Sequence, residues 1–169
     1  MRRTVLLLGV MGLAIVLASG IAWAATVDCR PNQDICTGTN NDDTITGTDG
    51  RDVIRALDGD DSVTALAGND TVLGGDGADT IRGGQGNDEL RGGRGRDDIA
   101  DRAGNDTDKV FGNAGNDYID VSDGDTNDTV DCGPGTNDTV VFDRVSKTDR
   151  DTIANCENRR PVSNATAQE

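Results

Sequence analysis

The sequence predicts an all-β chain, a solenoid of short stacked strands. Three observations carry that prediction. A nine-residue unit recurs seven times without a break from Gly38 to Ala100. Each copy holds one large aliphatic, and a unit this short cannot bury that side chain alone, so copies must stack. Of the 31 acidic residues 28 are Asp, and glycine reaches 23 residues. An acidic helical surface would use Glu, the better helix former, whereas Asp and Gly belong to turns.

The segments follow in chain order. Residues 1–24 read as a signal peptide: Arg2 and Arg3 come first, then an apolar stretch from Val5 to Ile21, then Ala22-Trp23-Ala24 as a small-x-small cleavage site. An uncleaved membrane anchor is the alternative. Lipid anchoring is not expected, because Ile21 stands where a lipoprotein cysteine would be. Loss of Arg2 and Arg3 would take the net charge from −15 to about −17. No stable membrane insertion is expected after cleavage, and the charge disfavours nucleic acid.

Residues 25–37 form an N-terminal cap, 38–131 the repeat region, 132–158 a C-terminal cap and 159–169 a loose tail. In the C-terminal cap Val140, Val141, Phe142, Val145 and Ile153 can cover an open end of the stack. Four cysteines in an exported chain favour disulfides, which places the protein outside the cytoplasm, secreted or at the cell surface. Three pairings are possible; sequence proximity favours Cys29–Cys36 and Cys132–Cys156. A zinc site is the alternative, with no His and no C-x-x-C to support it.

Three successive copies define the repeat: GGDGADTIR (74–82), GGQGNDELR (83–91) and GGRGRDDIA (92–100). The pattern is G-G-x-G-x-D-x-U-x, with U a large aliphatic. Position six of the contiguous rows is Asp43, Asp52, Asp61, Asp70, Asp79, Asp88 and Asp97. Position eight is Ile45, Ile54, Val63, Val72, Ile81, Leu90 and Ile99. The glycines are less regular: Ala56-Leu57 and Ala65-Leu66 replace the pair, and Asn41 replaces the position-four glycine. After Ala100 the spacing loosens. Residues 101–111 carry two extra residues with Asp106 and Val110, residues 112–120 carry Asp117 and Ile119, and residues 121–131 carry Asp128 and Val130.

Each row reads as a six-residue turn and a three-residue strand. Alternation along the strand points position eight inward and positions seven and nine outward. Strands stack about 4.8 Å apart, so equivalent Asp residues form columns. Two carboxylates at that spacing repel by roughly 1 kcal/mol even in water. A cation between them removes the conflict. Calcium takes six to eight oxygens in flexible geometry, from carboxylates and carbonyls alike, whereas magnesium demands tighter octahedra and keeps its water. With one aliphatic per row the core is thin, and the sequence predicts a chain disordered without calcium and folded with it.

Residues 38–131 strongly resemble the haemolysin-type calcium-binding (RTX nonapeptide) repeat family, most specifically over 74–100. The resemblance implies a right-handed parallel β-roll with two rows per coil. It implies several calcium ions between turns on the same side, held by position-six Asp and by turn carbonyls of neighbouring coils. Carried over, one column is Asp43, Asp61, Asp79 and Asp97, the other Asp52, Asp70, Asp88 and Asp106, with Asp117 and Asp128 extending them. The turn carbonyls fall at Gly74, Gly75, Gly77, Gly83, Gly84, Gly86, Gly92, Gly93 and Gly95.

Other motifs are weaker. Gly84-Gln85-Gly86 has neither the strand before it nor the helix after it that a phosphate loop needs. Asp123-Gly124-Asp125 opens like an EF-hand loop, but Asp128 takes the Gly position and Pro134 that of the final Glu. Asn-Asp-Thr triplets arise from the repeat itself. No His and no embedded nucleophile argue against an enzyme. The alternative function is a calcium-dependent, adhesin-like module for an acidic polysaccharide or cell-surface partner, met by Arg82, Arg91, Arg94 and Arg96. Few aromatic platforms for sugar remain: Phe111, Tyr118 and Phe142.

Overall fold

A computed structural model describes residues 24–30, 35–104, 106–124, 127–143 and 151–162. The signal-peptide expectation for residues 1–24 falls, except for Ala24, outside these residues, as do Val145 and the tail beyond Val162. Among the described residues fifteen strands follow one another: β1 (Thr26–Asp28), β2 (Cys36–Thr37), β3 (Thr44–Thr46), β4 (Val53–Asp58), β5 (Ser62–Ala67), β6 (Thr71–Asp76), β7 (Thr80–Gln85), β8 (Glu89–Arg94), β9 (Asp98–Ala100), β10 (Lys109–Ala114), β11 (Tyr118–Val121), β12 (Thr129–Asp131), β13 (Thr139–Asp143), β14 (Thr152–Ala154) and β15 (Asn158–Val162).

Odd strands form one eight-stranded sheet and even strands one seven-stranded sheet. Every neighbouring pair is parallel, and the register joins equivalent repeat positions: Ile45 to Val63 to Ile81 to Ile99 to Ile119 to Val140 in the odd sheet. The even sheet aligns Cys36, Ile54, Val72, Leu90, Val110, Val130 and Ile153. One coil therefore takes two rows. The chain is a parallel β-roll whose core is the layer of position-eight side chains between the sheets. The aliphatics from Ile45 to Val140 are fully buried, with Ala56 and Ala65 beside them at position one.

Two expectations about strand and roll length need correction. Six of the strands run six residues rather than three, because positions one to three also pair with the next coil. Nor do the sheets stop at Asp131. β13, β14 and β15 continue them, so much of the expected C-terminal cap is further roll, and residues 159–162 are strand rather than tail. Val140 is core, Phe142 and Ile153 pack against it, and Val141 faces outward at position nine.

The ends close differently. Cys29–Cys36 and Cys132–Cys156 are bonded, as proximity suggested, with Cα separations of 5.5 and 5.2 Å. Cys36 takes position eight, so this disulfide occupies the place of a core aliphatic at the N-terminal end. At the other end Arg159 stands opposite Val140 and turns its guanidinium onto the carbonyls of Ile153 and Cys156, at 3.1 and 3.4 Å. Arg159, Arg160 and Pro161 line the outermost strand, and charge and proline blunt an open sheet edge.

Candidate metal centre

The functional geometry lies in the turns between strands. Positions two and four adopt positive φ in turn after turn, for example Gly75 at 130° and Gly77 at 140°. Glycine reaches this region without steric cost. A Cβ on Gly77 would strike the Gly59 carbonyl one coil earlier, so the backbones also need glycine to approach each other. The turn ends at position six, where the Asp side chain folds back inside. Asp43, Asp52, Asp61, Asp70, Asp79, Asp88 and Asp97 are all buried.

These carboxylates form two columns, one along each edge of the roll. In each, Oδ1 accepts the backbone N–H of the position-six residue one coil earlier. On the first edge, which leads into the odd strands, Asp43 N–H donates to Asp61 at 2.7 Å, Asp61 to Asp79 at 2.9 Å and Asp79 to Asp97 at 2.9 Å. On the second edge Asp52 donates to Asp70 at 2.7 Å and Asp70 to Asp88 at 2.8 Å. The second oxygen accepts the Thr39 N–H in Asp43 and the Thr48 N–H in Asp52. Oδ2 of Asp61, Asp70, Asp79, Asp88, Asp97 and Asp117 is buried without a hydrogen-bond partner.

Burying an acid without a counter-charge opposes its ionisation. Burial pushes Asp61 and Asp70 up to about 6, and Asp88 and Asp97 up to about 7; the N–H bonds pull back and neighbouring carboxylates push further. Asp79, Asp117 and Asp138 shift upward for the same first reason. Rows of anionic oxygens, buried, unbonded and facing one another, fit a hard divalent cation that takes oxygen ligands only.

The match to known families agrees. A profile for the RTX calcium-binding nonapeptide repeat matches four times, over residues 37–72, 64–99, 73–108 and 102–140. The chain belongs to this family. Comparison with curated proteins and with solved structures finds no significant match. RTX repeats bind calcium, and the column Asp residues with adjacent turn carbonyls would hold it here. A bound ion would supply the positive charge that lets successive carboxylates sit ionised one coil apart.

One predicted column member of the RTX roll is wrong. Asp106 does not follow Asp88; Asp108 does, accepting the Asp88 N–H at 2.8 Å and buried as the other members are. The two extra residues of this row precede position six, so the Asp two places before Val110 keeps the register. Asp106 sits half-buried beside the column, where it accepts the Gly86 N–H at 2.5 Å. Asp117 and Asp128 do extend the columns, through Asp97 and Asp108.

The columns also run further than expected. Asp117 donates to Asp138 at 2.7 Å, Asp138 to Glu157 at 2.8 Å and Asp128 to Asp151 at 3.1 Å. Asp138-Thr139-Val140 and Asp151-Thr152-Ile153 repeat the D-x-U triplet, which is the signal that finds them. Asp101 and Asp123 carry no such signal. Yet Asp88, Asp101 and Asp108 bring carboxylate oxygens within 4.8 Å of one another, and so do Asp106, Asp108 and Asp123. Among the predicted glycines, Gly75, Gly77, Gly84, Gly86, Gly93 and Gly95 take positive φ, whereas Gly74, Gly83 and Gly92 lie beneath the carboxylates.

The four arginines do not make one patch on the RTX roll. Arg82 leaves the outer face of the odd sheet and Arg91 that of the even sheet. Arg91 pairs with Glu89 at 2.7 Å and lies 4.4 Å over the Phe111 ring, and Arg94 pairs with Asp76 at 3.2 Å.

Proposed function

We propose that this chain is a calcium-dependent structural or interaction protein that works outside the cytoplasm and folds as it binds calcium. The observation that carries the reading is the file of buried position-six carboxylates, with one oxygen bound to the neighbouring coil and, in Asp61, Asp70, Asp79, Asp88, Asp97 and Asp117, the other unbonded. At neutral pH in calcium-free solution these groups must either stay protonated or repel, and both oppose the coil. Calcium binding then becomes folding free energy. The role is one of holding shape and presenting outer faces rather than of catalysis.

Two features support export. Both disulfides suit an oxidising compartment. Cleavage after Ala24 would also place the new α-ammonium at Ala25, whose nitrogen lies 2.8 Å from Asp43 Oδ1. A positive charge there would begin the first column as calcium would continue it. Mass spectrometry of the exported chain should find Ala25 as its first residue; an intact Met1 would remove this part of the reading.

The test of the main reading is circular dichroism of the oxidised chain during a calcium titration. Strand signal should rise with calcium and collapse on chelation. A strand-rich spectrum that persists in excess chelator at neutral pH would refute coupled folding.

A further inference from the structure

The strongest feature outside the nonapeptide is Asp101, and the inference drawn from it rests on the calcium reading above. Asp101 occupies position one of its turn, a place that faces the core. Along the same edge this place is filled by Gly47, Ala65 and Gly83 before it and by Val121 and Phe142 after it. Asp101 is the one acid in that apolar file, and it is only 2% exposed. Its Oδ1 accepts a single long N–H bond, from Gly84 at 3.3 Å, and its Oδ2 is buried with no partner. An acid so placed is costly unless something compensates it.

The surroundings point to what compensates it. Oxygens of Asp88, Asp101 and Asp108 converge within 4.8 Å, all three residues are buried, and Asp88 Oδ2 also lacks a partner. Gly83 floors the gap. A Cβ there would strike Asp101 Oδ2 and lie 2.8 Å from Asp88 Oδ2. The two residues inserted into this row lie between Asp101 and Asp108. The longer loop thus joins two acids that both reach the same point.

We propose that Asp101 turns the Asp88–Asp108 step of the second column into a three-carboxylate calcium site, tighter than the paired-Asp sites of the repeat and created by the irregular row. The donors are all oxygens, which selects a hard cation over zinc, and affinity in such sites rises with the number of charged ligands. Burial together with the Asp108 and Asp88 charges pushes the Asp101 carboxyl up to about 9, so the group ionises at neutral pH only where a cation offsets that cost.

The test is calcium binding by the full oxidised chain, by titration calorimetry and by ion count in native mass spectrometry, for wild type, Asp101→Ala and Asp101→Asn. Alanine is already the natural residue at position one in Ala56 and Ala65, so the first variant suits the fold; the second keeps the shape and removes the charge. In each variant the tightest binding phase should weaken on the order of tenfold or more, to the affinity of a paired-Asp site. Strand signal at saturating calcium should be retained. Variants that keep the wild-type tightest phase would overturn the site and leave Asp101 a buried neutral acid. Such a result, with wild type still binding several ions, leaves the broader calcium reading intact. Failure of wild type to bind calcium at all would defeat both.

Discussion

The two edges of the roll start from the same turn and part company after Ala100. On the first edge the turns 38–43, 56–61, 74–79, 92–97 and 112–117 all have the same length. On the second edge 47–52, 65–70 and 83–88 match them, but 101–108 and 121–128 are each two residues longer. The strands on either side do not notice: Lys109 still pairs with Glu89 and Thr129 with Lys109. The sheet register is therefore set by the D-x-U triplet, whose Asp ends the turn and whose aliphatic enters the core. Length is negotiable only before that triplet. The second edge uses the freedom to gather extra acids, among them Asp101, Asp106 and Asp123.

Substituting the column acids gives the largest test of this contrast. Asp79→Ala on the first edge and Asp108→Ala on the second each remove the acceptor of a buried N–H, from Asp61 and Asp88 respectively, together with a charged ligand. Each should cost about 3 kcal/mol in urea unfolding at saturating calcium. Asp106→Ala, beside the column, should cost about 1 kcal/mol. A larger loss for Asp106 than for Asp108 would return the column to the residue that repeat counting selects.

Acidity should separate the metal-free edges less strongly. A carboxyl whose folded pKa is raised stabilises the fold fully below its ordinary value of 3.8 and loses that contribution as pH rises through the raised value. Those values are about 6 for Asp61 on the first edge and Asp70 on the second, about 7 for Asp97 and Asp88 respectively, and about 9 for Asp101. In calcium-free buffer, strand signal should therefore be greatest near about pH 4 and fall towards about pH 9, with saturating calcium restoring it at neutral pH. A metal-free signal that instead grows with pH would contradict the burial described for these acids.

The smallest effect probes where the edges are still alike. Leu57 on the first edge and Leu66 on the second take position two with φ of 94° and 84°, and both are exposed. Leucine is strained there, and Leu57→Gly or Leu66→Gly should each raise stability by about 1 kcal/mol in the same unfolding measurement. Unequal gains would mean that the edges differ before the first insertion. Gly75→Ala should do the reverse, since its Cβ would collide with the Leu57 carbonyl.

Much of this was legible in the residues themselves. Strict recurrence of Asp and aliphatic two places apart fixes which side chains line the core and which line the edges, because a strand alternates and a turn must end somewhere definite. Both disulfides follow from proximity once the ends of the stack are known. Asp106 is six places into its row counted from the start, whereas the register obeys the triplet at the other end of the turn, which selects Asp108. The continuation through Asp151 and Glu157 hides behind missing glycines, which shape turns but do not set pairing, and Asp138 behind one extra residue in a turn that keeps Gly133 and Gly135. Asp101 was not legible at all. Its role depends on three acids brought together from two coils, and no local pattern encodes that meeting.

The amide-to-carboxylate bonds along each column all point the same way. Ala25 leans on Asp43, Asp43 on Asp61, and so on through Asp138 to Glu157. This gives the stack a sense of time. A chain that emerges N-terminus first always has a newest coil whose amide awaits an acid not yet delivered, until Asp151 and Glu157 supply the acceptors for Asp128 and Asp138. The molecule is finished from behind, and a chain cut short before Glu157 would stop with an open question at its trailing end.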